Sequence, residues 1–200
     1  MRAKLLVATR NPGKIRELRA LFSDLPVDYL TLDEAGMKDE VAETGDTYAA
    51  NALLKADAAW RATGLLSLGD DSGLEVDALD GRPGLYSARY TGPNVAWPDR
   101  WSKLLSELNG VPEAKRTARF RCVMALCAPG RLPTTVEGVC EGRIALAPAG
   151  TGGFGYDPIF YLPDYGCTTA ELDEAAKNQI SHRGRAARKA KAVLMEWLGS

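Results

Sequence analysis

Leu65-Leu66-Ser67-Leu68-Gly69-Asp70-Asp71-Ser72-Gly73 is the stretch on which the reading of the whole chain turns. The apolar run 65–68, flanked by turn-forming residues, predicts a buried strand that stops at a turn. Neighbouring side chains of a strand point to opposite faces, so Asp70 and Asp71 cannot both face one ligand. One can enter a cleft while the other is tied to backbone or helix N–H groups. A carboxylate at a strand end, beside a glycine that admits close backbone approach, suits a hard divalent cation such as Mg2+. The same residues also read as an Asx-type turn, with Asp and Ser capping exposed loop backbone.

Upstream, residues 4–8 form an apolar strand that runs directly into Thr9-Arg10-Asn11-Pro12-Gly13-Lys14. Residues 12–25 follow as a helix, with Ile15, Leu18, Leu21 and Phe22 on one face, Asn11 as its cap and Pro12 in its first turn. A strand, a tight loop and a helix start make a natural phosphate site, to which Lys14 adds charge. A simple capped turn explains the same residues, and the spacing is not that of a Walker A loop. A second strand over 27–32 leads to a charged loop through Glu43-Thr44-Gly45. An alanine-rich helix over 46–63 comes next, and its alanines predict close packing on a sheet. Asn51 and Lys55, four apart, share a face of that helix.

Downstream, residues 74–79 predict another short strand, and 81–90 a loop rich in breakers that carries Tyr86 and Arg89. Residues 97–108 read as a helix whose Trp97 and Trp101 suit core or subunit packing. Residues 117–127 alternate as an amphipathic strand, 134–146 form one strand or a hairpin, and 159–161 a short strand. The stretch 149–158 packs four glycines into residues 150–155, followed by Tyr156 and Asp157. Aromatic rings and a fixed carboxylate on a glycine loop suit the recognition of a base. Two helices, 169–180 and 184–198, flank Ser181-His182-Arg183-Gly184. His182 is the chain's single histidine.

The 200 residues suffice for one domain, read as 1–200 with two lobes. A formal net charge of −1 gives no global reason for nucleic-acid or membrane-surface binding, and no apolar run is long enough to span a bilayer. Cys122, Cys127, Cys140 and Cys167 lack paired metal spacing, which favours buried thiols in a reducing, cytoplasmic compartment.

Taken together, these stretches resemble the inosine triphosphate pyrophosphatase family, also described as dITP/XTP or non-standard purine nucleoside triphosphate pyrophosphatases. The resemblance is carried in order by Thr9-x-Asn11-x-Gly13-Lys14, Glu43-Thr44-Gly45, Asn51-Ala52-x-x-Lys55 and Asp70-Asp71-Ser72-Gly73. It continues through Pro83-Gly84-x-Tyr86-Ser87-Ala88-Arg89, residues 150–158 and Lys177-Asn178-x-Ile180-Ser181-His182-Arg183-Gly184. It implies a mixed α/β (α+β) fold, with an elongated central mixed sheet flanked by helices, two lobes around an active-site cleft, and a homodimer. It implies Mg2+-assisted hydrolysis of ITP, dITP, XTP and dXTP to the monophosphate and pyrophosphate, which cleanses the nucleotide pool. By matching position, Thr9, Arg10, Asn11, Pro12, Gly13 and Lys14 would bind triphosphate, with Lys55 and Arg89. Glu43 and Asp71 would serve the metal, Asp71 also as proton acceptor, and Ser72 would touch substrate. Phe154, Gly155, Tyr156, Asp157, Lys177, His182 and Arg183 would surround the base. The chain departs from the family pattern at Arg10, which replaces a glycine, and at Ala50 and Ala175-Ala176, which replace acidic residues. The other readings are a pyrophosphatase of modified pyrimidine or methylated nucleotides, and a non-catalytic nucleotide- or RNA-binding module.

Overall fold

β3 (Leu66–Val76) runs unbroken through both aspartates, where the sequence predicts a strand ending in a turn. Two features carry it past the charges. Each carboxylate meets cationic partners on its own face of the strand. Beyond them, Leu74 and Glu75 pair antiparallel with β4 (Pro83–Gly84), inside what the sequence predicts as an irregular loop. The expected second strand is therefore the end of β3, and Asp77–Leu79 is a single helical turn.

This computed structural model describes residues 2–39, 41–92 and 95–199. Its remaining elements are β1 (Ala3–Val7), α1 (Pro12–Leu21), β2 (Val27–Thr31), α2 (Tyr48–Thr63), α3 (Trp97–Glu107), β5 (Thr117–Cys127) and β6 (Thr134–Ile144). β7 (Phe160–Leu162), β8 (Cys167–Thr168), α4 (Glu174–Ile180) and α5 (His182–Gly199) complete the chain. The strands form a mixed sheet in the order β2-β1-β3-β5-β6-β7-β8, with β4 on β3. β1 lies parallel to both β2 and β3, and β7 is antiparallel to β6 and β8. The predicted helices shift at their ends, α2 starting at Tyr48 and α3 ending at Glu107. The first ends at Leu21, capped by the Phe22 N–H; the fourth starts only at Glu174, capped by Asp173; the last already starts at His182.

Two compact units divide the chain. The first comprises residues 2–71, 122–138 and 183–199, and its core joins Leu5, Val7, Phe22, Leu68 and Met124 to the small face of α5, Ala186, Ala187 and Ala190. There α2 closes tightly on β3, as its alanines predict: a Cβ added to Gly69 would collide with the Ala52 carbonyl. The second unit, 72–121 and 139–182, buries Leu74, Leu104, Phe120, Ile144, Tyr156 and Phe160.

Candidate active site

In the first unit the two adjacent aspartates do part to opposite faces. Asp70 is fully buried and its side chain is shared by three groups. Lys14 Nζ pairs with Oδ1 at 2.5 Å, Arg183 Nε donates to Oδ2 at 2.9 Å, and the Cys122 thiol donates to Oδ2 at 3.2 Å. Arg183 is itself buried, and its Nη1 donates to Glu17 Oε2 at 2.7 Å. Burial pushes the Asp70 carboxyl up, but Arg183 and Lys14 overcome it and hold the group well below the ordinary carboxylate range. Asp70 is thus held in its anionic form.

Asp71 faces α2. Lys55 Nζ donates to its Oδ1 at 3.1 Å and Asn51 Nδ2 to its Oδ2 at 3.3 Å. Asn51 Oδ1 in turn accepts the Gly45 N–H at 2.8 Å, which anchors the loop that carries Glu43. Glu43 Oε1 lies 2.6 Å from the same Lys55 Nζ. Here burial wins: it raises the Asp71 carboxyl, with help from Glu43, against the pull of Lys55 and Lys14. Two neighbours in sequence thus have acidities pushed in opposite directions, a pattern that separates a fixed charge from a group able to exchange a proton.

Lys14 and Lys55 also meet at one atom. Both ammonium groups donate to the backbone carbonyl of Asp70, at 3.3 and 3.0 Å. Two cations converging on one oxygen make a strong anchor for a polyanion. The start of α1 offers less than the sequence predicts, because Asn11 Oδ1 already accepts the N–H groups of Gly13 and Lys14. Thr9 Oγ1 accepts the Asn11 N–H, and Pro12 is exposed. Arg10 pairs with Asp33 and donates to the Met37 carbonyl at 2.6 Å, so its guanidinium ties down the turn after β2.

For a metal, the described residues hold no group of three or more His, Cys, Asp or Glu side chains. Mg2+ does not require one, since it commonly takes one or two carboxylates and completes its octahedron with phosphate oxygens and water. Glu43 and Asp71 fit that role, because both already converge on a cation, the Lys55 ammonium.

The second unit gathers the glycine-rich loop. Asp157 Oδ2 accepts the Phe154 N–H at 2.7 Å and pairs with Lys177 Nζ at 2.5 Å, while Oδ1 accepts the Thr169 hydroxyl at 3.0 Å. Lys177 Nζ also stands 5.2 Å from the centre of the Phe154 ring. Both oxygens of Asp157 are therefore engaged by the protein, which makes it the clamp of the loop. Tyr156 is buried, its hydroxyl donating to the Ser87 carbonyl at 3.0 Å. Ser87 Oγ donates to the Gly84 carbonyl and accepts the Leu74 N–H, which ties the 83–89 segment to β3. Gly153 and Gly155 have φ of 70° and 68°, and a Cβ on Gly153 would strike the Asp157 carboxylate. His182 stacks on Phe120, centroids 4.6 Å apart. Arg89 is exposed and lies over the Tyr86 ring, and Ser72 is half-buried on β3.

The Ham1 family model matches residues 5–193. This chain belongs to the Ham1 family. Among its relatives, a dITP/XTP pyrophosphatase of Geobacter sulfurreducens is 52% identical over 98% of this chain and 96% of its own length. One of Geobacillus kaustophilus, also named dITP/XTP pyrophosphatase, is 52% identical over 92% of this chain and 90% of its own. The solved structure of a HAM1 protein from Coxiella burnetii has a TM-score of 0.87 at 42% identity and covers 97% of this chain and 99% of that one. In this Ham1 chain, sequence reasoning alone gives no site role to Glu17, Cys122, Ser87 or Thr169. Glu17 has a detectable signal, standing three residues after Lys14 on α1. The others are joined to their partners only by the fold.

Proposed function

We propose that this chain hydrolyses non-standard purine nucleoside triphosphates, of the ITP, dITP, XTP and dXTP class, to the monophosphate and pyrophosphate. The observation that carries the proposal is the pair of adjacent aspartates with opposed acidities beside two lysines that converge on one oxygen. The names of the relatives point the same way. Lys14 and Lys55 receive the phosphate oxygens. Asp70 stays ionised and holds Lys14 from below. Asp71, its carboxyl raised by burial yet restrained by Lys55, accepts the proton of the water that attacks the α-phosphorus. Glu43 and Asp71 are the residues that would hold Mg2+, which when bound neutralises the charge passing to the leaving pyrophosphate.

On the base side, Phe154 supplies a ring and Lys177 a cationic donor suited to a 6-oxo group. Adenine presents the reverse pattern at that edge, so ATP is disfavoured. Asp157 acts by fixing both. The working form on this reading is a cytoplasmic homodimer, which sedimentation would test.

A panel of nucleotides with Mg2+ tests the reaction. ITP and XTP should yield pyrophosphate and far outpace ATP, and release of orthophosphate instead would refute the assigned bond cleavage.

A further inference from the structure

Two tryptophans of α3 brace the glycine loop from the outside. The Trp101 indole Nε1–H donates to the Gly155 carbonyl at 2.8 Å. Trp97 meets the Tyr156 ring edge-on, centroids 5.2 Å apart at 76°. A Cβ added to Gly155 would lie 3.7 Å from the Trp97 ring, so that ring stands as a wall beside this glycine.

The loop needs such support. Gly153 and Gly155 both sit at positive φ, where glycine has no strong preference over other backbone states. Asp157 fixes the Phe154 amide, but the peptide joining Gly155 to Tyr156 has no side chain on its first residue to resist rotation. The indole N–H is a donor only, on a rigid two-ring frame, and it donates only to a Gly155 carbonyl turned toward it. Rotation of that peptide would break the bond and move the backbone directly after Phe154.

We propose that Trp101, backed by Trp97, is a positioning residue for base recognition: it selects one orientation of the Gly155–Tyr156 peptide and thereby the pose of Phe154. This rests on the base-side assignment of the preceding section. Its action is through the loop, since the indole donates to the Gly155 carbonyl.

Trp101→Phe keeps a ring in the core and deletes the donor. The expected result is a rise in KM for XTP of about fivefold, with kcat within about twofold, the loss of one neutral hydrogen bond. Backbone amides 153–157 should exchange hydrogen faster than in the parent. Trp97→Phe, which retains an edge for Tyr156 and leaves the Trp101 donor in place, should raise KM by less than Trp101→Phe does, and an equal or larger rise would overturn the assignment to the Trp101 donor. A lower Tm with unchanged KM and unchanged loop exchange would reduce Trp101 to packing and overturn the proposal. If the parent enzyme releases no pyrophosphate from XTP, the preceding proposal fails instead, and loop exchange in Trp101→Phe still decides whether the indole orders the loop.

Discussion

The aspartate cluster of the first unit and the glycine loop of the second solve opposite problems. The first must keep charged groups dry and close together. It does so with rigid elements: Asp70 on β3 is held by Lys14 on α1 and Arg183 on α5, separated in sequence by 56 and 113 residues. The second must give backbone a shape that side chains forbid. It uses glycines, and then corrects their freedom with a single carboxylate, Asp157, three residues from the amide it fixes. Long-range ion pairing builds one, and local backbone geometry with a clamp builds the other. The lesson is that damage should appear in different observables: turnover and stability in the first unit, substrate affinity in the second.

The largest effect should separate the two aspartates themselves. On the proposed mechanism Asp71→Asn removes the proton acceptor, and it should lower kcat by about 10²–10⁴-fold while leaving Tm near the parent. Steady-state rates beside a melting curve measure both, and a variant that retains a tenth of the activity would end the assignment of Asp71. Asp70→Asn should do the reverse in emphasis. It leaves Arg183 and Lys14 without their shared anion, a loss of about 3–5 kcal/mol and a Tm drop on the order of 10 °C. Little change in Tm there would mean that the buried pairs contribute nothing net.

The middle of the scale belongs to the loop. Gly153→Ala meets both positive-φ strain and the Asp157 carboxylate, so KM for ITP should rise about tenfold with a smaller change in kcat. A fall in kcat alone, at constant KM, would place the loop on the phosphate side of the reaction.

The smallest effects are in pH dependence. Because folding lowers the Asp70 carboxyl, its contribution to stability is present above the ordinary value of about 3.9 and fades as pH falls through its lower folded value. Asp71 runs the other way: its carboxyl is raised, so its contribution is full below the ordinary value and is lost as pH rises through the folded one. In the protein free of divalent ions the Asp71 carboxyl should therefore titrate above the ordinary value of about 3.9, read by carboxyl NMR. Denaturant melts across the acid range should show a shallower loss of stability in Asp70→Asn than in the parent.

How much of this the sequence reveals follows the same division. Residues 153–157 announce themselves, since a dense run of glycine and aromatics is rare, and one of its bonds, from the Phe154 N–H to Asp157, lies within the run itself. The opposite facing of Asp70 and Asp71 is likewise readable from the period of a strand. What is not readable is the continuation of β3 through them. A local rule sees two carboxylates, a serine and a glycine and predicts a turn, because it has no access to the cations that α1, α2 and α5 bring to each face. The pairing of Glu17 with Arg183 is hidden for the same reason, since only the fold brings the two together. Asp157 shows the complementary limit. Its residue type suggests contact with a ligand, whereas its oxygens are filled by Phe154, Thr169 and Lys177.

The parallel pairing of β1 with β3 acquires a meaning beyond the core. Leu5, Leu6 and Val7 register with Leu66, Ser67 and Leu68, and the Ala8 N–H closes the ladder on the Leu68 carbonyl at 2.7 Å. A slip of one residue would turn Asp71 toward Arg183 and Asp70 toward Asn51. The chain would still own every residue it needs, with the anchor and the worker exchanged. Strand alignment is thus a switch with one productive setting, and the residues of β1 and β3 that fix it choose which carboxylate faces Lys55 and, on the proposed mechanism, does the chemistry.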